Sequence, residues 1–161
     1  MISPNKLLTC DQLLTWKNYW KFKDNKIVFT NGCFDIIHPG HVRYLNEAKS
    51  LGHILVIGLN SDNSVKKLKG TNRPIHHQKD RADVLSALYC VDVVTIFEED
   101  TPYNLIQMIK PDILVKGGDY EIEQIVGYDL VKSYGGEVTT IPFVEGHSTT
   151  SILEKIYSRP E

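Results

Sequence analysis

A doubly wound α/β fold with a five-stranded, mostly parallel sheet is the architecture this sequence predicts. Apolar runs of strand length recur along the chain, and between them lie stretches whose apolar residues repeat every three or four positions. The chemically unusual residues fall at the exits of those runs, where an open parallel sheet collects its ligands. With 161 residues, 42% apolar and 24% charged, the chain has the composition of one domain with a real core.

The elements follow in order. Thr9-Cys10-Asp11-Gln12 has the form of a capping box ahead of a helix carrying Leu13, Trp16 and Trp20. Residues 1–24 are therefore expected to form a docking helix and 25–161 the main domain. Ile27-Val28-Phe29 is a short apolar strand, and Pro39 opens a helix that continues through Val42, Leu45 and Ala48. Ile54 to Leu59 is the second strand, followed by polar Asn60-Ser61-Asp62-Asn63 and a lysine-rich loop through Gly70 and Arg73-Pro74. A helical pattern runs through Ala82, Leu85, Leu88 and Tyr89, and Val91 to Phe97 returns to strand. Thr101-Pro102 opens a helix through Leu105, Ile106 and Ile109 that stops at Pro111-Asp112, before the strand Ile113-Leu114-Val115. Val126 to Tyr134 reads as a helix closed by Gly135-Gly136, Glu137 to Phe143 as the fifth strand, and about Ser148 to Tyr157 as the last helix.

The net charge of −2 leaves no basic footprint for nucleic acid. No apolar stretch approaches the roughly 18 residues of a membrane span, and the N-terminus does not read as a signal peptide. Cys10, Cys33 and Cys90 are few and far apart, which fits reduced thiols and a cytoplasmic protein. A small-molecule partner is the expectation. The helix bearing Trp16 and Trp20 can serve docking or a dimer contact, and a homo-oligomer is expected.

The most informative stretch is His38-Pro39-Gly40-His41, after the first strand and its exit Thr30-Asn31-Gly32-Cys33-Phe34-Asp35. A helix starting at Pro39 presents N–H donors that attract anions. Three-residue spacing then lets both imidazoles face one ligand. Lys67, Lys69 and Arg73 follow the second strand, Gly117-Gly118 and Asp119 the fourth, and Ser148, Thr149 and Thr150 the fifth. Those hydroxyls are N-cap residues first, but the same helix end can bind phosphate. Asp35 has two readings, an Asx turn or a contact with nucleotide or phosphate-bound Mg²⁺. Asp119 can accept from a base or a sugar hydroxyl. Cys33, His38 and His41 lack the fourth ligand or Cys pair that would suggest zinc, so no protein metal site is expected. A phosphate-binding Gly-x-x-x-x-Gly-Lys-Ser/Thr loop and a Gly-x-Gly-x-x-Gly fingerprint are both missing from the first strand's exit.

These residues resemble the cytidylyltransferase-like nucleotidyltransferases, with a His-x-Gly-His signature at His38 to His41 and a Ser/Thr-rich motif at Ser148 to Thr150. The blocks Asn60-Ser61-Asp62, Leu68-Lys69-Gly70, Arg73-Pro74, Phe97-Glu98-Glu99-Asp100-Thr101-Pro102 and Leu114-Val115-Lys116-Gly117-Gly118-Asp119-Tyr120 resemble the heptose 1-phosphate adenylyltransferases within that superfamily. The resemblance implies a Rossmann-like fold and transfer of AMP from ATP to heptose 1-phosphate. The products would be ADP-heptose and pyrophosphate, for lipopolysaccharide or a related surface glycan. It implies catalytic roles for His38, His41 and Lys69, and nucleotide contacts from Asn31, Gly32, Cys33, Phe34, Asp35, Gly40, Lys67, Gly117, Asp119, Ser148, Thr149 and Thr150. Arg73 and Lys116 would bind the sugar phosphate, Mg²⁺ would arrive with the nucleotide, and a separate heptose kinase would supply the substrate. Two departures point away from the CTP-dependent glycerol-3-phosphate branch: Cys33 stands where that branch has threonine, and Phe143-Val144-Glu145-Gly146 lacks its arginine. Such a polyol-phosphate enzyme and a non-catalytic nucleotide-binding module are the alternative readings.

Overall fold

The structure is a computed structural model that describes residues 6–142 and 149–158. Helix α1 (Cys10–Phe22) precedes strand β1 (Ile27–Gly32), and α2 (Pro39–Ser50) leads to β2 (Ile54–Asn60). Two helices, α3 (Asp62–Lys69) and α4 (Gln78–Ala87), then precede β3 (Val93–Phe97). The chain continues through α5 (Tyr103–Ile109), β4 (Ile113–Gly117), a 3₁₀ turn at Ile122–Gln124, α6 (Tyr128–Ser133), β5 (Glu137–Ile141) and α7 (Thr149–Tyr157).

All strand pairs are parallel, in the order β3-β2-β1-β4-β5. The sheet is thus wholly rather than mostly parallel. Side chains alternate between its faces, as period-two geometry requires. Val28, Leu55, Ile57, Ile113 and Val115 pack with Leu45 and Ala48 of α2 and with Ala82 and Leu85 of α4. Ile27, Phe29, Val56 and Leu114 pack on the other face with Leu13 and Trp20 of α1 and with Ile106 and Ile109 of α5. Two buried apolar layers therefore hold one sheet between them.

The capping box at the start of α1 is present: Thr9 Oγ1 accepts from the Gln12 N–H, and the Gln12 side chain accepts from the Thr9 N–H. Trp16, in contrast to Leu13 and Trp20, stays half exposed. Ahead of α1 the backbone of residues 6–8 pairs in parallel with Val94 along the outer edge of β3. Among the described residues no helix is long and apolar enough to cross a membrane.

Several boundaries differ from the sequence-based expectation. The lysine-rich stretch read as a loop is helix α3, started by Ser61, whose hydroxyl accepts from the Ser64 N–H. Val65 is its single buried large apolar residue and Leu68 is exposed, so the period was too faint to register. Helix α4 ends at Ala87: Leu88 turns extended and Tyr89 is wholly exposed. Strand β3 begins at Val93 instead of Val91. The expected helix from Val126 is interrupted by Gly127, whose φ of +95° suits the left-handed region. Strand β5 ends at Ile141, α7 begins at Thr149, and both Phe143 and Ser148 lie outside the described residues.

A Cβ built on Gly127 would lie 2.7 Å from Ile106 Cδ1. Gly127→Ala is therefore both strained and overpacked, and should lower stability by about 1–3 kcal/mol. Urea denaturation of the variant checks this, since an unchanged midpoint would remove both constraints.

Candidate active site

Strands β1 and β4 are hydrogen-bonded neighbours only through Val28↔Ile113 and Phe29↔Leu114. Beyond those pairs they part, and the crevice opens at the position where the strand order reverses. Tyr44 of α2 spans the gap: its hydroxyl lies 2.5 Å from Thr30 Oγ1 and donates to the Val115 carbonyl at 3.4 Å. Burial pushes the Tyr44 phenol up to about 12, against the pull of the Thr30 hydrogen bond. Further out, Lys116 Nζ donates to Asn31 Oδ1 at 3.2 Å. Burial holds the Lys116 ammonium below its ordinary range, while the nearby Cys33 thiol works the other way.

These groups floor a cavity of about 760 Å³ at the carboxyl ends of the strands, a size suited to one nucleotide-sized ligand. The β1 exit, including Asn31, Gly32, Cys33, Phe34 and Asp35, forms one wall, and His38, Gly40 and His41 the next. This turn is strained, because Phe34 and Ile36 have φ of 45° and 61°. A β-branched residue held left-handed costs of order 1–3 kcal/mol and persists only where its surroundings impose it.

His38 is the N-cap of α2, with Pro39 in the first turn, as the Pro-x-His spacing predicts. The two imidazoles stack with centroids 3.9 Å apart. His41 Nδ1 accepts from the His38 N–H at 3.4 Å, so the neutral ring carries its hydrogen on Nε2. Burial, helped by the charge of His38, lowers His41 to about 4. At neutral pH it is a hydrogen-bond donor without charge.

Across the cavity stand Lys69 at the end of α3, Arg73, Lys116 and Gly117, and the first turn of α7 with Thr149 and Thr150. Thr149 Oγ1 donates to the Asp35 carbonyl at 3.0 Å. Two expected nucleotide contacts stand elsewhere. Lys67 is not on the wall; its ammonium pairs with Asp100 at 2.9 Å, both side chains well exposed. Three residues span close to a helical turn but two do not, so Lys67 and Lys69 point apart once α3 is helical. Asp119, after Gly118 at φ +116°, is exposed and also off the wall. Ser148 lies outside the described residues.

Tyr44, Asn60, Asp100, Thr101, Pro102 and Tyr120 line the cavity without having been singled out for it. Thr101-Pro102 and Tyr120 sit within blocks whose pattern was visible, but their side chains carry no distinctive chemistry. Arg81 was missed for another reason. It reads as one charge in an amphipathic helix, yet its side chain is 1% exposed. The guanidinium donates to the Cys33 carbonyl, to the His76 carbonyl at 3.0 Å and to Asp62 Oδ1 at 2.8 Å. Its position four before Leu85, on the buried stripe, was the available signal.

Among the described residues no three His, Cys, Asp or Glu side chains stand together as metal ligands. Burial would raise the Asp35 carboxyl, but the N–H groups of Ile75 and His76 and the Arg73 guanidinium together hold it below its ordinary range. A divalent cation here would need its oxygen ligands from a bound phosphate and water.

The His41 ring should stay neutral from pH 8 down to about 5 and titrate near 4. Between the unfolded value of 6.5 and about 4 the unfolded chain binds a proton that the native ring refuses. Stability contributed by His41 is then present above that window and lost as pH falls through it. Imidazole ¹⁵N NMR reads the midpoint and the Nε2–H tautomer, and a midpoint near 6.5 would contradict the assignment.

Residues 29–155 match the family model described as Cytidylyltransferase-like. The relative named Bifunctional protein HldE from Geobacter metallireducens is 58% identical over 136 residues, covering 84% of this chain and 28% of that protein. Its namesake from Wolinella succinogenes is 54% identical over 154 residues, covering 96% of this chain and 32% of that protein. The chain thus spans about a third or less of the length of these curated relatives. Among solved structures, the lipopolysaccharide core biosynthesis protein from Thermoplasma volcanium GSS1 has a TM-score of 0.60 at 28% identity, covering 76% of this chain and 99% of that one. The pantoate-beta-alanine ligase from Francisella tularensis, complexed with beta-gamma ATP and beta-alanine, has a TM-score of 0.64 at 16% identity, covering 97% of this chain and 79% of that one, a likeness of fold alone. With its signature histidines at the start of α2 and the family match running from β1 into α7, the chain belongs to the cytidylyltransferase-like family.

Proposed function

We propose that this cavity transfers AMP from ATP to heptose 1-phosphate, releasing pyrophosphate and ADP-heptose. The observation that carries the reading is the stacked imidazole pair at the start of α2, with His41 neutral, facing Lys69, Arg73 and Lys116 across one cavity. The relatives named Bifunctional protein HldE and the structural likeness to a lipopolysaccharide core biosynthesis protein favour the sugar branch.

In this reading a phosphate oxygen of the sugar attacks the α-phosphorus of ATP in line. A P–O bond forms there as the bond to the β-phosphate oxygen breaks, and the pair of electrons leaves with pyrophosphate. No protein nucleophile is needed, so catalysis rests on positioning and on stabilising charge. His41 donates from Nε2 to a non-bridging α-phosphate oxygen, and His38 stands beside it. Lys69, Thr149 and Thr150 receive the departing pyrophosphate, while Arg73 and Lys116 hold the sugar phosphate. Asn31, Gly32, Phe34, Gly40 and Gly117 shape the nucleotide's bed, and Mg²⁺ travels on the triphosphate. Use of ATP and three free thiols fits the cytoplasm, where a heptose kinase would furnish the substrate.

Incubation with Mg²⁺, each of the four common nucleoside triphosphates and a panel of sugar 1-phosphates tests the reading through pyrophosphate release. ATP with heptose 1-phosphate should be the productive pair. Turnover with CTP and glycerol 3-phosphate, and none with ATP and heptose phosphate, would overturn it. His41→Ala should lower kcat by about 10² or more, the scale of a lost preorganised donor. Lys69→Ala should raise the KM for ATP and slow turnover together, and unchanged steady-state kinetics would reduce Lys69 to a solvated surface residue.

A further inference from the structure

Asp35 sits in the strained turn between β1 and α2, flanked by the two left-handed residues Phe34 and Ile36. Its carboxylate has no exposure to solvent. Oδ2 accepts from Arg73 Nε at 2.7 Å and from the Ile75 N–H at 2.9 Å, and Oδ1 accepts from the His76 N–H at 3.1 Å. On its other side the Asp35 carbonyl accepts the Thr149 hydroxyl. One residue thus fastens three walls of the cavity: the histidine-bearing turn, the loop at residues 70–77 and the first turn of α7.

A carboxylate buried and engaged in this way offers no oxygen to a nucleotide or a cation. It acts on the ligand only through what it holds. Because Asp35 takes Nε, the planar fork of Arg73 is fixed in plane and direction, leaving its terminal nitrogens for the cavity that Arg73 lines. An arginine already ordered before binding loses less freedom when an anion arrives.

We propose that Asp35 is a positioning residue that aims the Arg73 guanidinium at the phosphates bound in the cavity, rather than a contact for nucleotide or metal. This rests on the phosphate-transfer reading above. Within the clasp the charges of Asp35 and Arg73 offset each other, so Arg73 supplies directed N–H donors more than net charge. A lysine at residue 73 has no fork and cannot serve Asp35 and a phosphate together.

The test is a double-mutant cycle on heptose 1-phosphate binding, measured by calorimetry for the unaltered protein, D35N, R73A and D35N/R73A, with kcat and KM for heptose 1-phosphate in parallel. Asp35→Asn should weaken binding about tenfold when Arg73 is present and less than about twofold when residue 73 is alanine. Losses that simply add would overturn the proposal. Should D35N fail to fold, R73K decides: about tenfold weaker binding supports the clasp, and affinity equal to that of the unaltered protein overturns it. Heptose 1-phosphate binding needs no turnover. A protein that binds heptose 1-phosphate with this coupling, yet transfers AMP to no sugar phosphate, would lose the reaction and keep the clasp. One that binds no heptose 1-phosphate loses both.

Discussion

The parting of β1 from β4 is the constraint on which the rest of the molecule depends. Helices that follow β1 and β4 cross to opposite sides of a parallel sheet, so no connection covers the crevice between those two strand ends. The two strands share backbone pairs only at their beginnings. Backbone groups further along need other partners, and side chains supply part of them. Tyr44 reaches both strands with one hydroxyl, and the ammonium of Lys116 ties its own strand to Asn31. The interaction that holds the sheet open is also the floor on which a ligand would lie.

Electrostatics divide the cavity into unlike halves. At the start of α2 the imidazoles are close together and half-buried, which keeps His41 uncharged. The opposite walls carry ammonium and guanidinium groups, one of them partly offset by Asp35. In the proposed transfer, a highly charged phosphate chain would be drawn toward the cations, while the neutral donor would meet the atom where new charge develops. Helix starts at α2 and α7 add oriented N–H groups to that field without adding net charge.

Much of this was legible in the amino-acid order because the local signals were strong. Five apolar runs bounded by turn residues, a Pro one position past His38, and a Thr9 to Gln12 box each have one structural solution. The site was legible where rare side chains cluster on strand exits, as at His38, His41 and Lys69. Legibility failed where geometry depends on a single turn of backbone. Lys67 and Lys69 look equivalent in a loop and diverge in a helix, and Asp119 follows a glycine whose positive φ no periodicity encodes. It failed also for Arg81 and Asp35, whose partners lie far along the chain. No periodicity encodes a contact of that kind.

The short parallel pairing of residues 6–8 with Val94 has a consequence for the molecule as a neighbour of other molecules. β3 is an outer strand, and a bare outer strand offers its unpaired peptide groups to any extended chain that passes. Here that row is already partly occupied by the protein's own leading segment. The opposite border, β5, ends in Thr139, Thr140 and Ile141 with Glu137 exposed at its start, so a charged residue guards the bottom of an edge that no other strand pairs among the described residues. Growth of the sheet by stacking copies edge to edge is thereby discouraged.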